Sequence, residues 1–395
     1  AFQTVICDMT ALALANASML DEGTAAAEAM TLARRSSKAS DDAVFLIEEH
    51  VHPQTKAVVI TRAKPLGIKV VEVDSGHIAR DGFDGEFFGL LVQYPDTTGE
   101  ICDYSQVTEY AHSKNALVIA ATDLLALTLL KAPGEWGADI AVGSAQRFGI
   151  PMGFGGPHAG FMAVRTGLER SLPGRLVGQS VDSHGNPAFR LALQTREQHI
   201  RRDKATSNIC TAQVLLANMS AFYAMWHGPK GLKKIAERVH NYAAQLAAVV
   251  ETENKSYFDT LTVKVSDADS IHQAARSRRI NLGVIDSHHV RISFDETVTD
   301  SLFATISSLF GVQVKPAQGS GIATKLARTS AYLQHPVFNT YFSETSMLRY
   351  LRTLADRDLA LDRTMIPLGS CTMKLNATTE MEAVTWPEFA SLHPF

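Results

Sequence analysis

The strongest constraint on the fold is the alternation of short apolar runs with helix-like segments between Asp42 and Val164. Short apolar runs bounded by turn residues are typical of buried strands, and strands separated by helices require crossover connections. Right-handed crossovers place helices on both faces of a mostly parallel sheet. We therefore predict an α/β fold with one large, mostly parallel sheet. The predicted strands are Ala43–Ile47, Ile68–Val73, Phe88–Tyr94, Ala116–Ala121, Ala138–Val142 and Gly160–Arg165.

A second, smaller α/β region is predicted after a long helical segment that runs from Val214 to about Glu253. Phe258–Val265 and His289–Phe294 have the alternation of half-buried strands. Further on, Ser343 is the predicted N-cap of an amphipathic helix. The predicted domains are a large α/β domain over 1–213, a linking helix and small α/β domain over 214–312, and an extended and helical segment over 313–395.

The composition is that of a globular protein and excludes several classes. The 395 residues carry a formal net charge of -4, which does not favour a nucleic-acid partner. The four cysteines have no CxxC spacing, so neither a disulfide scaffold nor a zinc ribbon is expected. The longest apolar stretch is interrupted at Asp123 and is shorter than the roughly 20 residues that span a membrane. We expect a cytoplasmic protein, with the mitochondrial matrix as the alternative.

Two short segments have the composition of ligand-binding loops. In LDEGTAAAEAM, Gly23 and Thr24 precede a run of strong helix formers, which predicts either a phosphate cradle at a helix start or an ordinary capped helix. In EEHVHPQTK, His50 and His52 follow a predicted strand, where open α/β sheets bind ligands. These histidines suit hydrogen bonding or stacking better than metal ligation with the adjacent glutamates, and we predict no metal site.

Two longer segments are also candidates. The glycine-dense loop in ADIAVGSAQRFGIPMGFGGPHAGF allows either close backbone approach to a ligand or a tight turn. In TREQHIRRDKATSNICT, basic side chains precede the helix-capping residues Thr206, Ser207 and Asn208, a combination that suits an anion. A solvated basic helix face is the alternative, and Lys204 is a candidate for a Schiff base.

Together these strings resemble the glycine decarboxylase (P-protein) family of the glycine cleavage system. The resemblance rests on VHPQT, YPDTTGE, GADIAVGSAQRFGIPMGFGGPHAGF, REQHIRRDKATSNICT and the tail with IPLGSCTMKLN and TWPEF, and it runs from Ala1 to Phe395. It implies the pyridoxal-phosphate-dependent transferase fold, aspartate aminotransferase fold type I. It also implies decarboxylation of glycine on pyridoxal phosphate, transfer of the aminomethyl group to the lipoyl arm of the H-protein, and a dimer.

The resemblance covers most of the N-terminal half of the family and the start of its C-terminal half. Because the chain does not begin with Met, we expect a fragment. The family's cofactor lysine lies in the C-terminal half, and its loop corresponds here to VGSAQRFGIPMGFGGPH, with Gln146 at the lysine position. Ala120 occupies the position of the Asp that faces the pyridine nitrogen. The resemblance therefore implies no catalytic residue in this chain and leaves Gly23, Thr24 and His52 as a vestigial cofactor pocket.

The resemblance also suggests contributions to the active site of a lysine-bearing half. Thr206, Ser207 and Asn208 are candidates for phosphate contacts made in trans. Neither Lys204 nor Lys374 matches the family's lysine loop, so neither is assigned as the Schiff-base lysine, and a surface position is the alternative for Lys374. The candidates for lining the substrate end are Ser370, Cys371, Thr372 and Lys374.

Three functional hypotheses remain at this point. The first is a cofactor-free half of glycine decarboxylase that completes the active site of its partner half. The second is a non-catalytic scaffold that docks the H-protein. The third, a self-sufficient enzyme that uses Lys204, is the weakest. The first hypothesis predicts that Gln146 lies at the C-terminal edge of the sheet, near Gly23, Thr24 and His52.

Overall fold

A seven-stranded sheet forms the centre of the computed structural model, which describes residues 1–193, 198–205, 209, 213–313, 321–357 and 378–394. Its strands are β1 Leu14–Ala15, β2 Val44–Glu48, β3 Val70–Val73, β4 Phe87–Tyr94, β5 Leu117–Thr122, β6 Ile140–Ser144 and β7 Gly160–Val164. The strand order is β1-β7-β6-β5-β4-β2-β3. Strands β3, β2, β4, β5 and β6 pair in parallel, whereas β7 is antiparallel to β6 and β1. The predicted large, mostly parallel sheet is confirmed.

Helices cover both faces of this sheet, which explains the continuous apolar runs of its strands. Along β5, Val118 and Ala120 belong to one buried apolar cluster, whereas Ile119 and Ala121 belong to another. Successive side chains of a strand point to opposite faces, so each face has its own apolar core. The helices of this part are α1 Phe2–Thr10, α2 Glu22–Ser36, α3 Pro53–Ala63, α4 Ser75–Asp81 and α5 Ser105–Ser113.

A two-stranded hairpin, β8 Val177–Val181 and β9 Pro187–Leu191, lies outside the main sheet and was not predicted. The carboxylate of Asp182 holds its turn by accepting hydrogen bonds from backbone N–H groups, including that of Asn186 at 2.9 Å. The hairpin exposes the large apolar side chain of Phe189. The short helix α6, Gln198–Arg201, follows it.

The long helix α7, Val214–Ala247, is broken at Gly228, where φ is 60° and ψ is 177°. The predicted long helical segment is present, with a break at this residue. The next residue is Pro229, which cannot donate a helical hydrogen bond. A Cβ atom on Gly228 would lie 2.8 Å from Cε1 of Phe342 and 2.9 Å from the carbonyl oxygen of Phe338. Close packing and positive φ together require glycine here.

The predicted smaller α/β region is a three-stranded antiparallel sheet in the order β10-β12-β11. Its third strand, β11, was not predicted, because its residues are mostly exposed and lack an apolar period. The elements are β10 Thr260–Lys264, α8 Ala268–Ser277, β11 Gly283–Asp286, β12 His289–Ser293 and α9 Asp300–Leu309.

The last part of the chain packs back on the large sheet. Ser343 caps α10, Glu344–Ala355, by accepting a hydrogen bond from the backbone N–H of Ser346, which confirms the predicted cap. The chain then forms α11, Thr378–Val384, and α12, Pro387–Ala390. Beyond α12, the backbone meets the glycine-rich loop: the N–H of Gly153 donates to the Ala390 carbonyl and that of Phe154 to the Leu392 carbonyl. Within the described ranges, no helix is long and apolar enough to cross a bilayer.

Candidate functional site

The carboxyl ends of β2, β5 and β6 meet at one edge of the large sheet, because these strands are parallel. His52 follows β2, Asp123 follows β5 and Gln146 follows β6. The start of α2 reaches the same edge through the paired backbones of Met19 and Gly160, and Gly160 pairs with the last residue of β6. The elements that carry Gln146, Gly23, Thr24 and His52 thus converge at this edge.

Gln146 is half-buried at the beginning of the glycine-rich loop. Its backbone N–H donates to Oγ of Ser144 at 3.2 Å, and its side-chain amide donates to the carbonyl of Pro151 at 3.4 Å. A Schiff base requires a primary amine, and the nitrogen lone pair of an amide is delocalised. The side chain at this position therefore anchors the loop to itself and offers no nucleophile.

Ala120 lies within β5, in register with Val92 of β4 and Ala141 of β6. Its side chain is fully buried in an apolar cluster. This position therefore lies in the packed interior of the sheet and not at its open edge. The nearest carboxylate along the strand is that of Asp123, immediately after β5.

That carboxylate is held by Arg147, the residue after Gln146. Nη1 of Arg147 lies 2.7 Å from Oδ2 of Asp123 and 2.7 Å from Oδ2 of Asp259, and its Nε lies 3.2 Å from Oε1 of Glu296. Its guanidinium carbon is also 5.9 Å from the ring centroid of Phe258. We call these four charged residues the Arg147 cluster. It carries one cation and three carboxylates.

The Arg147 cluster is largely shielded from water, with side-chain exposures between 11% for Asp259 and 24% for Asp123. Burial raises the pKa of Asp259 and of Glu296, and the guanidinium of Arg147 opposes both shifts. Burial lowers the pKa of Arg147, but its carboxylate partners outweigh that effect and raise it overall. The guanidinium thus favours the ionised forms of Asp259 and Glu296, against the larger effect of burial on their pKa values.

The start of α2 is already occupied by a carboxylate from the chain itself. Asp21 is the N-cap, and its Oδ1 accepts a hydrogen bond of 2.7 Å from the backbone N–H of Thr24. A Cβ atom on Gly23 would lie 3.1 Å from Cγ2 of Val58, so this glycine allows α2 to approach α3 closely. Of the two interpretations of this segment, the capped helix agrees with the contacts, whereas the phosphate cradle does not.

Glu48 is the last residue of β2, and His52 directly precedes α3. The backbone N–H of His52 is 3.5 Å from Oε1 of Gln93, and Oε2 of Glu48 accepts a hydrogen bond of 2.7 Å from the backbone N–H of His50. Burial raises the pKa of Glu48 to about 7. Ligand atoms of Glu48, Glu49 and His50 lie within 4.8 Å of one another, next to an acidic cleft between the two sheets. Exposed acidic groups at such spacing are common without a metal, and we propose none here.

The candidates for contacts in trans fall outside the described residues. These are Thr206, Ser207 and Asn208 and, at the substrate end, Ser370, Cys371, Thr372 and Lys374. Arg202 and Lys204, which precede the first group, are exposed. Their assigned roles stay predictions, as do the domain boundaries.

These residues do not fit pyridoxal phosphate. The lysine position holds an amide, the Asp position holds a buried alanine, and the free helix start that would bind a phosphate is capped by Asp21. Three carboxylates surround the residue after the lysine position. The sequence predicted the first two departures but missed Arg147. Its partners Asp259 and Glu296 flank strands β10 and β12 of the smaller sheet, and no local pattern shows which residue of the large α/β part they contact.

Comparisons with known proteins identify the family of the chain. The family model described as glycine cleavage system P-protein matches residues 1–310. A glycine dehydrogenase (decarboxylating) of Xanthomonas oryzae pv. oryzae is 56% identical over 402 residues, which is 100% of this chain but 40% of that relative. The chain thus spans about two fifths of the length of such curated relatives.

Solved structures give the same answer. A crystal structure of glycine decarboxylase (P-protein) of the glycine cleavage system, in inhibitor-bound form, has a TM-score of 0.70 at 34% identity, covering 78% of this chain and 74% of the other. A C-DES mutant with glycine covalently linked to its PLP cofactor has a TM-score of 0.54 at 11% identity, covering 78% and 83%. The second likeness concerns the fold alone. Together with the first, it confirms the predicted pyridoxal-phosphate-dependent transferase fold. By its sequence over residues 1–310 and by its structure, the chain belongs to the glycine cleavage system P-protein family.

Proposed function

We propose that this chain supplies the cofactor-free part of a glycine decarboxylase. The complete protein would decarboxylate glycine with the help of pyridoxal phosphate and pass the aminomethyl group to the lipoyl arm of the H-protein. The observation that carries the proposal is Gln146, an amide at the lysine position of a chain that belongs to the P-protein family. The cofactor and its lysine would then be held by the other half of the same enzyme.

The role of this chain would be to support and complete that other half. An exposed apolar surface beside the glycine-rich loop supports such docking, because large exposed apolar patches mark interaction sites. The backbone hydrogen bond from Phe154 to Leu392 places the glycine-rich loop beside the segment that contains α12, and both carry exposed apolar side chains. They are Phe154, Trp386, Phe389 and Leu392.

The expected partners follow from the same proposal. They are the lysine-bearing half, glycine and the lipoylated H-protein, with a dimer as the assembly. Thr206, Ser207 and Asn208 would contact the cofactor phosphate in trans, and Ser370, Cys371, Thr372 and Lys374 would line the substrate end. Because the named relative is bacterial, a cytoplasmic location is proposed.

The test is reconstitution. The isolated chain, incubated with pyridoxal phosphate and reduced with borohydride, should carry no trapped cofactor on any lysine in peptide mass spectra. Adding the lysine-bearing half should give CO2 release from glycine in the presence of lipoylated H-protein. Cofactor trapped on a lysine of the isolated chain, or no activity after mixing, would contradict the proposal.

The scaffold hypothesis is separated from this one by two variants in the reassembled enzyme. Thr206→Ala and Arg202→Ala should each weaken pyridoxal phosphate binding if the basic segment reaches the cofactor in trans. Arg80→Ala, in the acidic cleft between the sheets, is the control and should leave that affinity unchanged. If all three variants bind the cofactor as the parent does, the scaffold hypothesis is preferred.

A further inference from the structure

The Arg147 cluster connects the two α/β parts of the molecule. Arg147 and Asp123 follow β6 and β5 of the large sheet, whereas Asp259 directly precedes β10 and Glu296 follows β12 of the smaller sheet. One guanidinium therefore contacts carboxylates from both sheets. No single strand or helix fixes these four side chains relative to one another, so they depend on how the two parts are arranged.

The charge of the Arg147 cluster also opposes the ligand that a family member would bind at this edge. One cation faces three carboxylates, all with side chains less than a quarter exposed. Asp21 adds a carboxylate at the start of α2, on the same edge. A phosphate monoester carries nearly two negative charges at pH 7, and like charges at short range in a shielded site repel strongly.

We propose that the Arg147 cluster has replaced the cofactor site by a clamp that fixes the smaller sheet against the large one. Arg147 is a positioning residue in this proposal. The inference rests on the family membership of the chain and goes beyond the proposed function, because it gives the vestigial site a task of its own. Two consequences follow: a lysine at position 146 alone does not restore cofactor binding, and loss of Arg147 loosens the seam between the sheets.

Two hydrogen bonds report on the seam, by which we mean the contact between the large α/β part and the smaller one. The backbone N–H of Ile101 donates to the carbonyl of Ser256 at 2.9 Å, and the side-chain amide of Asn254 donates to the carbonyl of Thr98 at 3.1 Å. Each bond joins the large part to the smaller one. The amide hydrogens of β5, in contrast, lie within the large sheet. Comparing exchange at the two places separates opening of the seam from general destabilisation.

The first experiment measures hydrogen exchange on the full chain with Arg147→Met. We expect the Ile101 amide to exchange at least tenfold faster than in the parent, while β5 amides change less than twofold. Glu296→Gln, which keeps the shape of one partner, should give a smaller change in the same place. It also keeps the experiment decisive if Arg147→Met fails to fold.

The control is Arg165→Met. Arg165 also pairs with a buried carboxylate, Asp139, but both belong to the large sheet. Its loss should leave exchange at Ile101 within twofold of the parent. The clamp is refuted if Arg147→Met and Glu296→Gln both leave the Ile101 amide unchanged, or if Arg165→Met accelerates it as much.

The second experiment tests exclusion of the cofactor. Gln146→Lys and the double variant Gln146→Lys/Arg147→Thr are incubated with pyridoxal phosphate, reduced with borohydride and digested. We expect trapping at residue 146 in the single variant to equal that at exposed lysines such as Lys38, and to rise severalfold in the double variant. Stoichiometric trapping in the single variant would overturn the exclusion. This outcome is distinct from failure of the proposed function, which concerns trapping and activity of the unmodified chain.

Discussion

The two edges of the large sheet contain buried ion pairs with opposite proportions of acidic and basic side chains. At the amino edge of β6, one buried carboxylate, Asp139, contacts two basic side chains, Arg165 at 2.5 Å and His112 at 2.9 Å, and accepts the backbone N–H of Val118. All these groups belong to one part of the molecule. At the carboxyl edge, the guanidinium of Arg147 contacts three carboxylates, one from the large α/β part and two from the smaller one.

The difference shows which edge of the fold is free to change. The Asp139 contacts tie α5, β5 and the end of β7 together, so they serve the sheet itself. The carboxyl edge of this fold is where a ligand is expected. At that edge of this chain, Arg147 and its carboxylate partners contact one another where a ligand would be expected. Four substitutions test this comparison, in order of expected effect.

The largest effect is expected for Arg147→Met at the carboxyl edge. Removing the guanidinium of Arg147 takes away the ion-pair partner that Asp123, Asp259 and Glu296 share, and breaking a buried ion pair costs about 3 kcal/mol. Urea unfolding at pH 7 should show this loss of stability. As the pH falls the difference should shrink, because Asp259 and Glu296, whose pKa values burial already raises, take up protons in the folded state before ordinary carboxylates do. A loss below about 1 kcal/mol at pH 7 would mean that the cluster adds little.

At the amino edge, Asp139→Ala should cost about 2 kcal/mol, because the N–H of Val118 and the Arg165 side chain lose a buried acceptor. Asp139→Asn is the matched control, since it retains one acceptor oxygen and should cost less. In both variants the Ile101 amide should keep its protection. Loosening of the seam in Asp139→Ala would erase the distinction between the edges.

Glu48→Gln should stabilise the protein above pH 7. The pKa of Glu48 is raised to about 7 by burial, so between its unfolded pKa and pH 7 the folded state holds a proton that the unfolded state has lost. Its contribution is fully present below the unfolded pKa and disappears as pH rises through 7. We expect a gain of roughly 1 to 3 kcal/mol at pH 8 and almost none at pH 4. Glu49→Gln, an exposed neighbour, should change neither value, and equal gains in both variants would argue against burial as the cause.

The smallest effect is expected for Asp21→Ala, which removes the cap of α2 and should cost about 1 kcal/mol in thermal or urea unfolding. Asp21→Asn keeps an acceptor for the Thr24 N–H and should cost a few tenths. If Asp21→Ala is as stable as the parent, the helix start does not depend on its own carboxylate.

Much of this fold follows from local patterns. Strands β2, β4, β5, β6 and β7 are short apolar runs, because both of their faces are covered. The edge that gathers Gln146 and His52 follows from the parallel order of β2, β5 and β6. Local patterns did not predict the hairpin β8–β9 or strand β11, because their residues are mostly exposed and show no apolar run. The break at Gly228 is set by a distant segment that packs against it.

For the site, the sequence predicted only which residues of a cofactor site are absent. Gln146 and Ala120 depart from the family pattern at positions that the sequence itself identifies. Arg147 stands in the same string, yet nothing near it indicates that its partners are Asp259 and Glu296, which are more than a hundred residues away. Ion pairs between separate units are set by tertiary arrangement and carry no sequence period.

The break in α7 makes the Arg147 cluster sensitive to the orientation of the second part of that helix. Residues 229–247 form a helix about 28 Å long, at 1.5 Å per residue. Its first end lies next to Gly228, which packs closely against the ring of Phe342. Its other end packs in the core of the smaller sheet through Leu246. A tilt of about 5° at Gly228 would sweep the far end by about 2.5 Å. A displacement of that size would separate the ion pairs of Arg147, which span 2.7 Å, so the Arg147 cluster forms only over a narrow range of orientations of this helix.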